Sequence, residues 1–391
     1  MFTHVYENAK TPAQVEEITD KVLEAIKTGE IKLEDISIRD VAEATLGVEG
    51  MRQLSHANNE SSFVAVKESV APVNLSAFTN ITGQMVYQGV YQSYSAPEFI
   101  GDQLVTSETS REDNTRIPGL AEINEDAIEV EEGGEYPDVK FGEDWIDVPQ
   151  SKKRGLKIGI TREMVFFDRT GMVLEMARTV GETLGLNKER RIIDLVIGVT
   201  NTFKRKGVTR DTYVSAAEDA ADPRINEITK ALTDWTSIDA VMQAFEAMSN
   251  DATGNAKRPI MITPKVILCT AFKIATVRSI LNSTEVRTST ASAATQTIHA
   301  NPVVGMVQPL TSPWLKRRLV AAGISATDAD KYWWMGDPKR AFRYRTLFPL
   351  QVLSAQHDKD AFERDVVAQF RADERGVPYV YAPWYVVNAH E

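Results

Sequence analysis

The amino-acid sequence predicts an α+β fold, because helix and strand patterns mix along it without the regular alternation that builds a parallel sheet. One observation is a strand that leads directly into a long helix. Leu156, Ile158 and Ile160 alternate with other residues, and from Met172 apolar residues recur at steps of three and four. Another is a series of strand patterns after residue 300, the longest at 343–353. The 391 residues suffice for two or three domains.

The long helix is predicted over residues 172–199, with a polar break at 187–191. Gly181 and Gly185 lie inside it, four residues apart and therefore on one face. A glycine inside a helix costs about 1 kcal/mol relative to alanine. Two interpretations stay open: the pair marks a bend or a close approach of another main chain, or both glycines are tolerated weak points.

Nearly all of the net charge of −11 lies in one segment. Residues 122–147 carry eleven Asp or Glu side chains and one lysine, whereas the rest of the chain has 44 acidic and 43 basic side chains. A body without basic excess does not favour general nucleic-acid binding. The acidic segment is therefore the feature whose partner has to be explained.

The N-terminal 60 residues predict a small helical region. One helix begins at Pro12 and is ended by Gly29, and a second covers 38–46 and is ended by Gly47. This part is acidic and short of aromatic residues, so it needs a partner surface. The next stretch, to about residue 112, is apolar but weakly periodic, and it predicts an extended arm with a short helix near 83–94.

A long β-hairpin is predicted over residues 117–148, with a turn at Gly133-Gly134. It contains the acidic segment and also Tyr136, Phe141 and Trp145. An isolated two-stranded hairpin is marginally stable in water. We therefore expect it to dock on a neighbouring subunit, the alternative being a solvated acidic hairpin on a monomer.

The second half of the chain mixes helices and strands. The patterns predict the following elements: a helix at 211–232 around Pro223, a helix at 235–248, a buried strand at 259–263, a helix at 264–281, an exposed loop at 287–297, and strands at 303–307, 332–335, 343–353, 365–371 and 379–388.

The motifs of catalysis and of cofactor or metal binding are missing from the sequence. There is no GxGxxG after a strand, no GxxxxGK[ST], no HExxH and no GxSxG, and the five histidines lie far apart. We therefore predict no catalytic, cofactor or metal site. A cytoplasmic hydrolase whose site is assembled only by folding is a remote alternative.

The sequence predicts a protein of a reducing compartment that has no membrane-spanning helix. No run of about 18 apolar residues is present, so no membrane span is expected. The single cysteine, Cys269, excludes internal disulfides, and its apolar surroundings predict a buried thiol.

Several stretches are similar to amino-acid sequences that are typical of one protein family. They are EGGEYP with FGEDW, KKRGLKIGITREMVFFDRTG, DWTSIDAVMQAF, WWMGDPKRAFRYRTLFPLQV and DAFERDVVAQFRADERGV. Together with the order of parts, they resemble the major capsid proteins of tailed bacteriophages over about residues 61–388. The resemblance implies the capsid shell fold with an N-terminal arm at 61–115, an extended-loop hairpin (E-loop) at 116–155, a peripheral (P) domain with a spine helix at 156–232 and 343–378, and an axial (A) domain at 233–342 and 379–391. The helical extension at 1–60 lies outside the part of the chain that resembles the family.

The implied function is structural, and the implied partners are copies of the same chain. Hexamers and pentamers would build an icosahedral head around double-stranded DNA, without sequence-specific contacts, in the bacterial cytoplasm. Scaffold, portal or decoration proteins are further partners that the family allows. A bacterial encapsulin-like nanocompartment shell is the alternative.

The candidate contacts between subunits combine the acidic hairpin with the basic start of the next strand. They are Glu131, Glu132, Glu135, Tyr136, Phe141, Trp145, Lys152, Lys153 and Arg154. Further basic groups at 188–191 and 204–206 are candidate targets for the acidic hairpin.

Overall fold

The computed structural model describes residues 12–29, 31–33, 36–55, 72–113, 116–119, 129–130, 132, 144–216, 224–249, 258–289, 296–355 and 366–391. The chain forms two compact units, each assembled from three separate stretches. Unit 1 contains Met1–Pro97, Lys152–Asn187 and Phe348–Arg375. Unit 2 contains Glu98–Ser151, Lys188–Leu347 and Gly376–Glu391.

Helices and strands are mixed along the described chain, which confirms the α+β class. The α-helices are α1 (Pro12–Thr28), α2 (Ile38–Ser55), α3 (Pro72–Tyr94), α4 (Gly101–Leu104), α5 (Arg162–Phe166), α6 (Thr170–Val196), α7 (Trp235–Ala247), α8 (Ile274–Asn282), α9 (Trp314–Ala321), α10 (Ala326–Ala329) and α11 (Pro338–Ala341). A 3₁₀ turn covers Pro383–Tyr385.

The strands are short except for three. They are β1 (Thr106–Thr109), β2 (Arg116–Pro118), β3 (Trp145–Asp147), β4 (Lys152–Thr161), β5 (Thr202–Arg205), β6 (Val208–Asp211), β7 (Glu227–Thr229), β8 (Val266–Cys269), β9 (Glu285–Ser289), β10 (Gln296–Ala300), β11 (Gln308–Leu310), β12 (Trp333–Gly336), β13 (Phe342–Ala355), β14 (Val366–Val380) and β15 (Val386–His390).

In unit 1, α3 and α6 pack main chain to main chain. A Cβ placed on Gly181 of α6 would overlap the carbonyl group of Val90 of α3, with the carbonyl carbon at 2.9 Å and the Cα at 3.0 Å. A Cβ placed on Gly89 would lie 3.2 Å from the Cβ of Ala177. Gly181 is therefore the site of a close main-chain approach, which decides between the two interpretations at this position. The predicted long helix is confirmed as α6, which continues through the polar residues at 187–191.

The N-terminal helices complete the core of unit 1. Val22 and Ile26 of α1 and Ile38 and Val41 of α2 are buried in the same apolar cluster as residues of α3 and α6. The predicted stop at Gly47 is wrong, since α2 runs on to Ser55. The predicted arm is also more helical than expected, because α3 begins at Pro72.

The long strands divide their pairing between the units. In unit 1, β4 neighbours β14, which also neighbours β13. In unit 2, β1 pairs in parallel with the start of β13, where Thr106 faces Arg343. The long strands predicted around 343–353 and 365–371 are confirmed, and both extend beyond the predicted ends.

Unit 2 is built around a mixed five-stranded sheet in the order β11-β8-β12-β15-β7. Trp333 and Trp334 of β12 lie fully inside its core. The predicted helix at 235–248 is confirmed as α7, and Asp234 caps it in a reciprocal capping box with Ser237.

Several predictions for unit 2 are wrong. The predicted helix at 264–281 is strand β8 followed by α8, because the short apolar run 266–269 is held between β11 and β12. The described parts of 211–232 contain β7 and no helix, 259–263 is not a strand, and 303–307 is a turn followed by a bend rather than a strand. The predicted loop at 287–297 is partly a hairpin, in which β9 pairs antiparallel with β10.

A second sheet of unit 2 has the order β2-β3-β5-β6. Strand β2 pairs antiparallel with β3, and Arg116 faces Asp147. The ends of the predicted hairpin therefore come together as expected. Most of its acidic part lies outside the described residues.

Candidate assembly surface

The structure describes five of the nine candidate contact residues: Glu132, Trp145, Lys152, Lys153 and Arg154. The other four, Glu131, Glu135, Tyr136 and Phe141, lie outside the described residues. Glu132 is exposed to solvent, as a contact residue should be in a free subunit.

Trp145 lies at the base of the hairpin and is half-buried there. The guanidinium of Arg116 sits 5.4 Å from the centre of its ring, and Arg116 also pairs with Asp147 at 3.3 Å. The Trp145 indole N–H has no hydrogen-bond acceptor among the described residues. This side chain is thus engaged mainly inside its own subunit, and only its exposed part is available to a partner.

A buried ion pair fixes the same base. Arg205 Nε and Nη2 donate to Asp144 Oδ1 and Oδ2 at 2.9 and 2.6 Å, and the two side chains are 7% and 3% exposed. The guanidiniums of Arg205 and Arg224 lie 4.8 and 4.3 Å from the centre of the buried Trp384 ring. In the sequence, Asp144 counts as part of the acidic segment and Arg205 as part of the basic group at 204–206. A count of charges does not reveal that these two side chains pair with each other.

The three basic residues at the start of β4 have different surroundings. Lys153 pairs with Asp373 at 3.2 Å, and Asp373 is almost fully buried. Arg154 donates to the carbonyl of Lys152 at 3.1 Å, while the Lys152 side chain is exposed. Lys153 therefore neutralises a carboxylate of its own subunit, and Lys152 faces solvent.

The residues at 188–191 form ion pairs and hydrogen bonds with other parts of unit 2. Lys188 pairs with Asp102 at 2.7 Å, and Arg191 donates to the carbonyl of Gly376 at 2.9 Å. Glu189 is buried and accepts the backbone N–H groups of Ile100 and Gly101 at 3.1 and 2.6 Å. Burial raises the pKa of Glu189, although these two N–H groups oppose the shift. This group is not an open docking target.

Lys204 and Lys206 are exposed at the β5–β6 turn. Lys206 and Gly207 form the turn with φ of 54° and 74°, the positive pair that a two-residue hairpin turn requires. Strand β6 is an edge strand, and all four of its residues are exposed. This turn is an open basic surface.

An aromatic patch, defined here as Phe166 and Phe167, was missed by the sequence analysis. The side chains are 39% and 62% exposed, and their rings meet edge to face at 5.3 Å. Arg39 lies 5.9 Å from the Phe166 ring centre, and Arg169 lies 5.9 Å from that of Phe167. The signal available in the sequence was the pair of adjacent phenylalanines followed by Asp168 and Arg169. The end of a short helix cannot bury both rings.

The turn after the aromatic patch is held in an uncommon conformation. Asp168 has φ of 48°, which is rare for a residue other than glycine. Burial opposes its ionisation, but hydrogen bonds from Thr170, Ser37 and the Arg39 N–H outweigh that and lower the pKa of Asp168. The patch therefore rests on a fixed turn.

The described part of the chain contains no cluster of three potential metal ligands among His, Cys, Asp and Glu side chains. No described helix is both long and apolar enough to cross a membrane. Cys269 is buried, as predicted, and burial raises the pKa of its thiol to about 12. It remains an unreactive thiol at neutral pH.

Comparison with known proteins decides the family. The family model described as "Phage capsid protein" matches residues 146–380, which is more than half of the chain. The chain belongs to the phage capsid protein family. This capsid protein is a structural component of the virion that forms a shell from copies of itself, and it is not an enzyme. The nanocompartment alternative is not favoured.

Solved phage structures resemble the chain at low identity. Mycobacterium phage Bobi is 15% identical, with a TM-score of 0.42 over 74% of this chain and 89% of that one. The mature capsid of bacteriophage PhiM1 is 14% identical, with a TM-score of 0.43 over 74% of this chain and 86% of that one. The capsid of cyanophage Pam1 is 15% identical, with a TM-score of 0.42 over 77% of this chain and 92% of that one. No curated protein matches the sequence. The family match alone therefore carries the assignment.

Proposed function

We propose that hexamers and pentamers of this capsid protein build the icosahedral head of a tailed phage in the cytoplasm of its bacterial host. The head encloses double-stranded DNA, which the protein contacts without reading its sequence. Family membership supports this proposal, and so does the charge distribution. The chain outside residues 122–147 has 44 acidic and 43 basic side chains, so it contains DNA without binding it tightly. Scaffold, portal or decoration proteins are compatible partners.

The parts of the subunit follow the family pattern in this proposal. Residues 116–155 form the E-loop, 156–232 with 343–378 the P-domain, and 233–342 with 379–391 the A-domain, which surrounds the axes of the capsomers.

The E-loop is the element that we assign to contacts between copies. Of its eleven acidic side chains in 122–147, Asp144 and Asp147 already have basic partners in the same subunit. Glu129 and Glu132 are exposed. An acidic segment in which Glu129 and Glu132 are exposed, and which also contains Tyr136 and Phe141, calls for a partner surface that is both basic and apolar.

The aromatic patch fits that requirement better than the basic groups chosen from sequence. Lys153 and Arg205 are held by buried acids, as described above, and 188–191 serves the interior. The patch instead combines two exposed rings with Arg169 and with Arg39, whose ion pair with Glu43 at 2.8 Å is exposed to solvent rather than buried. An aromatic anchor with charges around it is a common pattern of binding hot spots. Each exposed ion pair contributes only ~0.2–1 kcal/mol, but the contact recurs throughout a shell.

The test reverses the charge of the loop. In the variant Glu131→Lys, Glu132→Lys, Glu135→Lys, we expect a folded subunit and at least a tenfold loss of particles, because like charges then face each other. Sedimentation and negative-stain microscopy measure particle yield at low and high salt, and circular dichroism measures folding. Unchanged yield at both salt concentrations would mean that the charge of the loop does not direct assembly.

A matched control makes the same charge change on α1. Glu17, Asp20 and Glu24 are exposed there, and reversing all three should leave particle yield unchanged. Adding Arg39→Glu and Arg169→Glu to the loop variant should restore part of the yield. Restoration by Lys204→Glu with Lys206→Glu instead would move the docking surface to the β5–β6 turn.

A further inference from the structure

We infer that the N-terminal helices α1 and α2 are a permanent part of the shell subunit and stay bound to unit 1 even when the chain between α2 and α3 is cut. This goes beyond the assembly proposal, and it concerns whether residues 12–55 are retained or removed. The inference rests on burial, on the contacts at the start of α2, and on what the removal of the helices would expose.

The first observation is that the helices share the core of unit 1. The most deeply buried apolar side chains of the two helices and of the segment between them, all at most 5% exposed, are Ile26, Ile36, Ile38, Val41, Ala42 and Leu46. They belong to the same cluster as Phe78 and Met85 of α3 and Val173 and Leu174 of α6. A removable segment that only covers a finished surface would not contribute completely buried side chains to the central cluster.

The second observation is a set of hydrogen bonds between the start of α2 and the start of α6. The backbone N–H of Ile38 donates to Thr170 Oγ1 at 2.8 Å in a buried position, and the backbone N–H of Arg39 donates to Asp168 Oδ1 at 3.4 Å. Thr170 Oγ1 donates in turn to Asp168 Oδ1 at 2.7 Å. Free N–H groups at a helix start require acceptors, and here another part of the chain supplies them.

These hydrogen bonds also explain the uncommon turn. Asp168 keeps its φ of 48° while its carboxylate accepts hydrogen bonds from Thr170 and Arg39. A strained residue persists where its surroundings fix it. Arg39 adds a contact at 5.9 Å to the Phe166 ring. Removing α2 would leave the turn at the start of α6 without part of its support.

The third observation is what removal would expose. Without α1 and α2, the side chains of Phe78, Ile81, Val165 and Val173, now at most 1% exposed, would lose neighbours in their cluster. Exposed apolar surface of this kind leads to association or aggregation. Unit 1 therefore requires the two helices for its own stability.

The experiment tests whether α1 and α2 stay bound to unit 1 after their covalent connection to α3 has been cut. A recognition sequence for a site-specific protease is inserted within residues 56–71 of the full chain, and the purified protein is cut and run on gel filtration. We expect both fragments in one peak, with separation only in denaturant. Cutting makes the contact bimolecular and removes the effective concentration that the link supplied, so retention measures the contact itself. Elution of the N-terminal fragment by itself would overturn the inference.

Two variants on α1 show what holds the fragment. Ile26→Asp, at a buried position, should release it after cutting, whereas Lys21→Asp, at an exposed position on the same helix, should leave it bound. Equal retention in both would contradict the role of the shared core. In assembled particles, mass spectrometry should find residues 12–55 present at one copy per subunit, and their loss would overturn the inference. The cutting experiment needs no particles, so its failure is distinct from a failure of the assembly proposal.

Discussion

The contact between α3 and α6 in unit 1 and the base of the β2–β3 hairpin in unit 2 are both tightly fixed, but by different interactions. Between the helices there is no room for a side chain, because the Val90 main chain occupies the space beside Gly181. At the base of the hairpin, the buried Asp144–Arg205 pair and two guanidiniums near Trp384 hold the strands. The first contact is sensitive to any added atom, and the second is sensitive to the loss of one charge.

The largest effect is expected at the base of the hairpin. Asp144→Ala leaves the buried Arg205 without its counter-ion, which should lower the free energy of unfolding by about 3–5 kcal/mol. The matched control is Asp147→Ala, because Asp147 pairs with Arg116, whose side chain is 70% exposed. That loss should be only ~0.2–1 kcal/mol. Denaturant unfolding of the subunit measures both values, and equal losses would show that burial does not distinguish the two pairs.

A smaller effect is expected where the helices touch. Gly181→Ala adds a methyl group into the Val90 main chain, so the helices have to move apart, which should cost about 1–3 kcal/mol. Gly171→Ala on the same helix has no neighbour within 4 Å and should be neutral or slightly stabilising. The same unfolding measurement compares them. If Gly181→Ala behaves like Gly171→Ala, the close approach does not constrain the helices.

The smallest effect concerns Glu189, whose pKa burial raises above its ordinary value of 4.5. A carboxyl with a raised pKa in the folded protein stabilises fully below pH 4.5, and this contribution is lost as the pH rises through the raised value. Glu189→Gln cannot lose a proton and can still accept an N–H. Between pH 4.5 and neutrality, the parent should therefore lose stability relative to this variant. A difference that stays constant with pH would refute the shift.

Sequence reasoning succeeded where a pattern was long. The strand before the long helix, helix α7 and the strands β13 and β14 all carry repeated periodicity, and their types were predicted. It failed at β8, because a run of four apolar residues fits a strand or part of a helix equally well. Neighbouring strands decided the outcome there, and neighbours cannot be seen in a sequence.

The candidate surface was harder to predict because pairing is a tertiary property. Lys153, Arg205 and Lys188 looked like free positive charges in the sequence, yet each has an acidic partner far away along the chain. The aromatic patch was missed for a related reason. The sequence assigned no role to Phe166 and Phe167, and only the fold shows that both rings are exposed at the end of the short helix α5.

The contact at Val90 and Gly181 also has a mechanical consequence. Side chains between two helices can absorb load by changing rotamer, but main chains in direct contact have no such freedom. The crossing of α3 and α6 should therefore be stiff in compression, as close-packed protein interiors are. When a shell is loaded from within, strain will be taken up first by elements that are separated by flexible side chains, while these two helices keep their distance.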